Sequence, residues 1–322
     1  MTNDDFYPEK PVLEERKPRN NVALTIFSIV LFVSTFLFLF TDEIFFVFSV
    51  LIVLIVHEMG HFLMMKRFGY KDVYMLFIPL MGAFVQGKKD MYKQKESIWV
   101  VIAGPMPGII IGLFLLYLSS RYQQSWILEL GLMFLLLNWI NLIPLDPLDG
   151  GQLFSQLIQR NQAFFSFVFS FISSLLLIGT GWYIENWGLI VFGLVMGFRV
   201  RNLQKQFELQ KEMDAHGINY TQSYSQLTNR EYAQIKDLVI STSKALRTFV
   251  EAVDPEESKP VVAEQVNGVL ITPVLTDAKV AFKLLILVTW VLCIISPFIL
   301  VYLYSDSIPK DYEWYFKVIS GQ

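Results

Sequence analysis

The chain has 322 residues, of which 54% are hydrophobic and 17% charged, with a formal net charge of −3. A soluble domain carries about 25% charged residues, so this chain has too little charge to cover a globule of its size. The near-neutral balance and the lack of a basic patch leave no reading as a nucleic-acid binder, while several apolar runs of the ~20 residues that cross a bilayer as a helix make it a polytopic membrane protein.

Residues 1–21, "MTNDDFYPEKPVLEERKPRNN", are polar, carry both charge signs and do not form the basic start of a cleaved signal peptide. They read as a disordered cytosolic tail. Residues 22–200 read as a membrane core of six spans: about Val22–Phe40, Ile44–Met65, Ile98–Leu118, Trp126–Leu145, Ala163–Tyr183 and the short Trp187–Phe198. A seventh span lies in 281–305, from about Phe282 to Tyr304, and 306–322 read as a non-cytosolic tail. The single cysteine, Cys293, sits in an apolar run and reads as a packing residue.

Orientation follows from Lys and Arg in the short flanks. Lys10, Arg16, Lys17 and Arg19 precede span 1, and Lys66, Arg67, Lys71, Lys88, Lys89, Lys93 and Lys95 follow span 2. Arg160 follows span 4, and Arg199, Arg201 and Lys205 follow span 6. On the opposite side, the loops after spans 1 and 5 hold none and the loop after span 3 holds Arg121 alone. The N-terminus is therefore expected in the cytosol, and the Lys run 88–95 reads as a solvated face that meets anionic headgroups.

Between spans 2 and 3, about residues 70–95, the apolar stretch is too short to span and is broken by Pro79 and Gly82. It reads as a re-entrant, β-hairpin-like segment, since irregular backbone survives at membrane depth only against protein or a water cavity. Residues 201–280 are polar and read as a small cytosolic domain. Thr228 and Glu231 have capping-box spacing ahead of a helical pattern, and "VVAEQVNGVLITPVL" alternates weakly enough to suggest a strand pair. The fold class is thus an all-α polytopic membrane protein of about seven helices, with a short hairpin and a cytosolic insert.

Span 2 contains His57-Glu58-Met59-Gly60-His61, an ionisable cluster where polar groups are expensive and mark function. Residues four apart share a helix face, about 6 Å along the axis. Both imidazoles can therefore reach one Zn²⁺, while Glu58 beside them can take a proton from a water. H-E-x-x-H on a helix is a strong signature of that chemistry. The third histidine, His216, falls in the polar domain, so a third ligand should be a carboxylate near the membrane. The end of span 4, "NWINLIPLDPLDGGQLF", offers Asp146 and Asp149 on backbone unwound by Pro144 and Pro147.

These residues resemble the site-2 protease family of intramembrane zinc metalloproteases. That family pairs H-E-x-x-H with a later N-x-x-P…L-D-G, here Asn141-Leu-Ile-Pro144 and Leu148-Asp149-Gly150. Gly104-Pro105 and the glycine-bearing "PLMGAFVQG" match further family features, and the resemblance covers roughly residues 44–155. It implies zinc on His57, His61 and Asp149, selecting Asp149 over Asp146, with Glu58 as general base. It also implies that Asn141 contacts the scissile peptide. Asp146 departs from the family pattern, and no PDZ or CBS module is evident.

The expected function is an intramembrane zinc endopeptidase acting on a transmembrane helix of another protein within the lipid bilayer, in a bacterial-type cell membrane. The re-entrant segment lies between the two metal-binding helices in sequence. An edge at Phe84 or Val85 is expected to grip an unwound substrate as an added strand. The rival readings are a membrane metal transporter, which would need no base beside two ligands, and a proteolytically inactive binding relative, which would show a damaged motif. Gly104, Gly108 and Gly112, spaced by four, read as helix packing.

Overall fold

The structure is a computed structural model and describes residues 7–13, 21–39, 44–79, 82–89, 91–158 and 162–304. Arg16, Lys17, Arg19, Arg160 and the C-terminal tail, all used in the sequence reading, lie outside the described residues.

The chain is mostly helical. In order it forms α1 (Asn21–Leu39), α2 (Ile44–Arg67), β1 (Lys71–Ile78), β2 (Gly82–Lys88), β3 (Tyr92–Lys93), α3 (Gln94–Ala103), α4 (Pro105–Tyr122), α5 (Ser125–Leu142) and α6 (Asp149–Leu157). Then follow α7 (Gln162–Tyr183), α8 (Trp187–Ala215), α9 (Asn229–Thr242), α10 (Lys244–Ala252), α11 (Pro255–Val269), β4 (Val274–Leu275) and α12 (Val280–Tyr304).

Among the described residues, five helical stretches are long and apolar enough to cross a membrane: Ile44–Arg67, Gln94–Tyr122, Ser125–Leu142, Phe164–Tyr183 and Val280–Ile299. Seven were expected. The apolar helix Val22–Phe38 is shorter; at 1.5 Å per residue it reaches about 26 Å against a hydrocarbon core of about 30 Å. The expected sixth span is the apolar start of α8, a 29-residue helix that runs on through Arg199, Arg201 and Lys205.

The chain divides into two compact units. The first holds α1–α6, β1, β2 and α12. Helices α4 and α5 pack through Ile109, Leu116, Leu128, Leu135 and Leu142. Ile98, Val101, Ile102, Leu153 and Ile286 join α3, α6 and α12. The expected hairpin is present as β1 and β2, paired antiparallel with Leu76 opposite Phe84 and Met75 opposite Val85. Phe77 of β1 lies in a cluster with Phe32, Val50 and Leu51, which seats the hairpin on α1 and α2.

Helix α5 stops because proline follows it. Ile143, which precedes Pro144, is driven to an extended conformation (φ −60°, ψ 134°). Two tight turns follow, Leu145 N to Ile143 O at 2.7 Å and Leu148 N to Leu145 O at 2.8 Å, and Asp146–Pro147 is cis. The helix restarts at Asp149 as α6.

The second unit holds α7–α11, β3, β4 and residues 7–13. Helices α7 and α8 form a hairpin tied by Ser174 Oγ donating to Gly193 O at 2.7 Å. The polar domain packs around Met213, Leu227, Ile235, Ala263 and Val266. Its capping box forms as its spacing predicts: Thr228 Oγ1 accepts from Glu231 N at 3.2 Å, and the Glu231 carboxylate accepts from Thr228 N at 3.0 Å.

Two details of this unit differ from the sequence reading. Residues 261–269 are helix rather than strand. Asp254 caps Pro255 and accepts from Glu256 N at 2.9 Å, and the buried Ser258, Val262, Ala263 and Val266 recur at helical spacing. Only Val274–Leu275 is strand, paired parallel with Tyr92–Lys93. Residues 7–13, read as part of a disordered tail, lie on the polar domain. There the Lys10 ammonium donates to the carbonyls of Tyr224 and Ser225 at 3.0 Å each, and Tyr224 Oη donates to Pro11 O at 2.8 Å.

Candidate metal centre

His57, Glu58 and His61 lie on α2, and all three are buried. Arg67 ends the helix about 9 Å beyond His61 along the axis, so the cluster sits near the basic end of its span. The α5–α6 break brings Asp149, also buried, against the two imidazoles. Asp149 Oδ2 is 3.0 Å from His57 Nε2 and 3.2 Å from His61 Nε2, and the two Nε2 atoms are 3.2 Å apart.

The outer ring nitrogens fix the tautomers. His61 Nδ1 lies 2.7 Å from Val100 O. A carbonyl can only accept, so Nδ1 carries the proton and Nε2 of the neutral ring presents its lone pair. His57 Nδ1 lies 2.8 Å from Asn138 Oδ1. The amide orientation is set by Asn138 Nδ2 donating to Phe134 O at 2.7 Å, so His57 also presents Nε2 inward. Metal-ligating histidines use their second nitrogen in this way.

Two lone pairs and a carboxylate oxygen thus converge on one point. Among the described residues this is the group of His, Cys, Asp or Glu side chains that could hold a metal ion. A tetrahedral zinc with ligands at about 2.0 Å separates them by about 3.3 Å, close to the sides of this triangle. Glu58 stands at the same site, and its Oε2 is buried without a hydrogen-bond partner. In a protein interior such a carboxylate oxygen is costly unless a proton or a polar ligand reaches it.

Glycines set the tightness of the site. A Cβ on Gly104 would fall 2.2 Å from His61 Nε2, and one on Gly108 would fall 2.0 Å from Asn138 Nδ2. These two positions, read as helix packing, pack against the site itself. A Cβ on Gly150 would fall 2.2 Å from Leu142 O, so the break cannot close around Asp149 with a larger residue.

The remaining predicted residues lie around this group. Asp146 is buried on the break but does not join the metal-competent group. Asn141 donates within α5, Nδ2 to Leu137 O at 3.0 Å. Asn138, three residues earlier, touches the site and was not singled out from the sequence. The signal was available: an amide inside an apolar span is a functional candidate by default.

Phe84 and Val85 differ in where their backbones face. On β1, Met75 O accepts from Thr25 Oγ1 at 2.7 Å and Phe77 N donates to Ser28 Oγ at 3.1 Å. These groups point to α1, away from β2. Directly opposed residues of an antiparallel ladder share their facing, so Val85 and Ala83, opposite Met75 and Phe77, face outward from β2. Phe84 bonds inward to β1.

Residues 45–129 match the family model described as Peptidase family M50. A zinc metalloprotease of Methanocaldococcus jannaschii is 30% identical over 115 residues, which are 34% of this chain and 33% of the relative. The stage IV sporulation protein FB of Bacillus subtilis is 28% identical over 118 residues, 35% of this chain and 40% of the relative. The chain thus spans only between 33% and 40% of the length of these curated relatives. A solved site-2 protease from Methanocaldococcus jannaschii aligns at 22% identity with a TM-score of 0.44, covering 55% of this chain and 87% of that one. The family-model and relative matches agree with the resemblance: the segment that carries H-E-x-x-H is similar to Peptidase family M50 and to a zinc metalloprotease. With five apolar helices long enough to cross a bilayer among the described residues, the chain is a multi-pass membrane protein.

Proposed function

We propose that this chain is an intramembrane zinc endopeptidase that cleaves transmembrane segments of other membrane proteins. The observation that carries the reading is the triangle of His57 Nε2, His61 Nε2 and Asp149 Oδ2, with a buried Glu58 beside it whose Oε2 has no hydrogen-bond partner. The relatives' metallopeptidase family supports zinc as the metal.

In this reading the three triangle atoms hold the metal, and Val100 O and Asn138 hold the imidazoles in register. A bound zinc supplies Lewis acidity toward a water and toward the scissile carbonyl. Glu58 accepts the proton of the attacking water and returns it to the leaving amine as the peptide bond breaks. A substrate helix has its carbonyls in internal hydrogen bonds, so it must unwind to present one. The outward edge of β2 at Ala83 and Val85 would hold that unwound stretch through main-chain bonds. The N-terminus and the polar domain are assigned to the cytosol on the Lys and Arg asymmetry.

The test is cleavage of a reporter transmembrane substrate by the purified, zinc-loaded chain and by Glu58→Gln. Removing a positioned acid–base group lowers the rate by about a hundredfold or more. Cleavage by Glu58→Gln at the wild-type rate, or none by either protein across a panel of substrates, overturns the proposal.

A further inference from the structure

Helix α12 lies outside the residues matched by the family model, 45–129, yet it reaches the break that presents Asp149. Trp290 Nε1 donates to Leu142 O at 2.9 Å. Leu142 is the last residue of α5, where the helix supplies no N–H for its carbonyls. The face of that same carbonyl lies under Gly150: a Cβ there would meet Leu142 O at 2.2 Å and Ile143 O at 2.4 Å. Gly150 is bonded to Asp149. On the other side of the break, the Trp290 ring meets Phe154 of α6 edge-on, with centroids 5.2 Å apart and planes at 82°. One indole therefore touches both ends of the break.

Two further contacts dock α12 but stay clear of this point. Lys283 Nζ donates to Leu157 O, at the end of α6, at 3.0 Å. Trp139 Nε1 donates to Ile294 O at 3.1 Å. The second is the same kind of bond as that of Trp290, between the same two helices, and the Trp139 ring meets Phe298 of α12 rather than Phe154 of α6.

The geometry points to Trp290 as a positioning residue for Asp149, acting through the Leu142 carbonyl. The N–H fixes the carbonyl on which Gly150 rests, and Gly150 fixes where the Asp149 carboxylate meets the two imidazoles. Leu142 is buried, and a buried carbonyl that loses its donor is costly. Without the indole N–H the carbonyl must reorient, and the peptide at 149–150 moves with it. The inference rests on the proposed zinc site.

The experiment is zinc affinity of the full chain, measured by competition with a chromophoric chelator, in wild type, Trp290→Phe and Trp139→Phe. Groups that orient metal ligands typically change affinity about 10–100-fold. Trp290 acts one step further out, so a loss of about tenfold is expected for Trp290→Phe, with Trp139→Phe close to wild type. Should Trp290→Phe not fold, replacing Trp290 by its benzothiophene isostere removes only the N–H and gives the same expected loss. Wild-type affinity in Trp290→Phe or in the isostere overturns the inference, as does an equal loss in Trp139→Phe, which would make docking of α12 the cause. A wild-type chain that holds no zinc fails the underlying proposal instead, and the two failures are separate readings of one titration.

Discussion

Asn138 Oδ1 accepts from His57 Nδ1 at 2.8 Å, and the amide is held for that task by its own bond to Phe134 O. An asparagine fully buried in an apolar helix thereby sets which nitrogen of a histidine faces the metal group. Asn138→Leu has a similar volume and removes the acceptor. Zinc affinity is expected to fall about 10–100-fold, while thermal unfolding moves little. Unchanged zinc affinity in chelator competition would show that the His57 tautomer is set elsewhere.

Gly104→Ala is expected to abolish zinc retention. The added Cβ would lie 2.2 Å from His61 Nε2, and the ring cannot retreat without losing Val100 O. Gly112→Ala is the comparator, because its Cβ meets mainly the Leu135 side chain, at 2.7 Å, which can rotate. Zinc content after dialysis, read beside the unfolding temperature, separates the two. Equal loss in both variants would mean that helix spacing alone decides.

The hairpin gives a paired test. Val85→Pro removes an outward donor, whereas Phe84→Pro removes a bond to β1. Val85→Pro is expected to keep its zinc and unfolding temperature and to lose about tenfold in cleavage, on the scale of one lost hydrogen bond. Phe84→Pro is expected to destabilise the chain as well. A Val85→Pro variant with wild-type cleavage would place the substrate away from this edge.

The charge asymmetry predicts opposite sides for the α4–α5 turn and the polar domain. With Cys293 replaced, single cysteines at Gln124 and Ser225 should label from opposite faces of a sealed vesicle. Labelling from one face would break the proposed topology.

Much of this site was legible because its chemistry is rare in its setting. Two histidines and a glutamate in an apolar run have few meanings, and proline around Leu145 announces unwound backbone. The choice between Asp146 and Asp149 was not legible from spacing, since both sit on that unwound stretch. It came from the family resemblance. Asn138 is conspicuous as an amide inside an apolar span, but its partner was not legible, and neither was that of Trp290. Each acts through a residue distant in sequence, 81 and 148 residues away, and no periodicity carries that information. In the polar domain, residues 261–269 alternate weakly, but the Asp254 cap and Pro255 start a helix that overrides the alternation.

The central claim is the division of labour among His57, His61, Asp149 and Glu58, and zinc stoichiometry tests it most directly. Metal content is to be measured on purified wild type, His57→Ala, His61→Ala, Asp149→Ala, Asp149→Asn, Asp146→Asn and Glu58→Gln. Three protein ligands are the usual complement of a catalytic zinc, so each of the three alanine variants should lose the metal. Glu58→Gln and Asp146→Asn should keep about one zinc per chain. Loss of zinc from Glu58→Gln as complete as from the alanine variants would contradict the account, and so would loss from Asp146→Asn alongside full retention in Asp149→Asn.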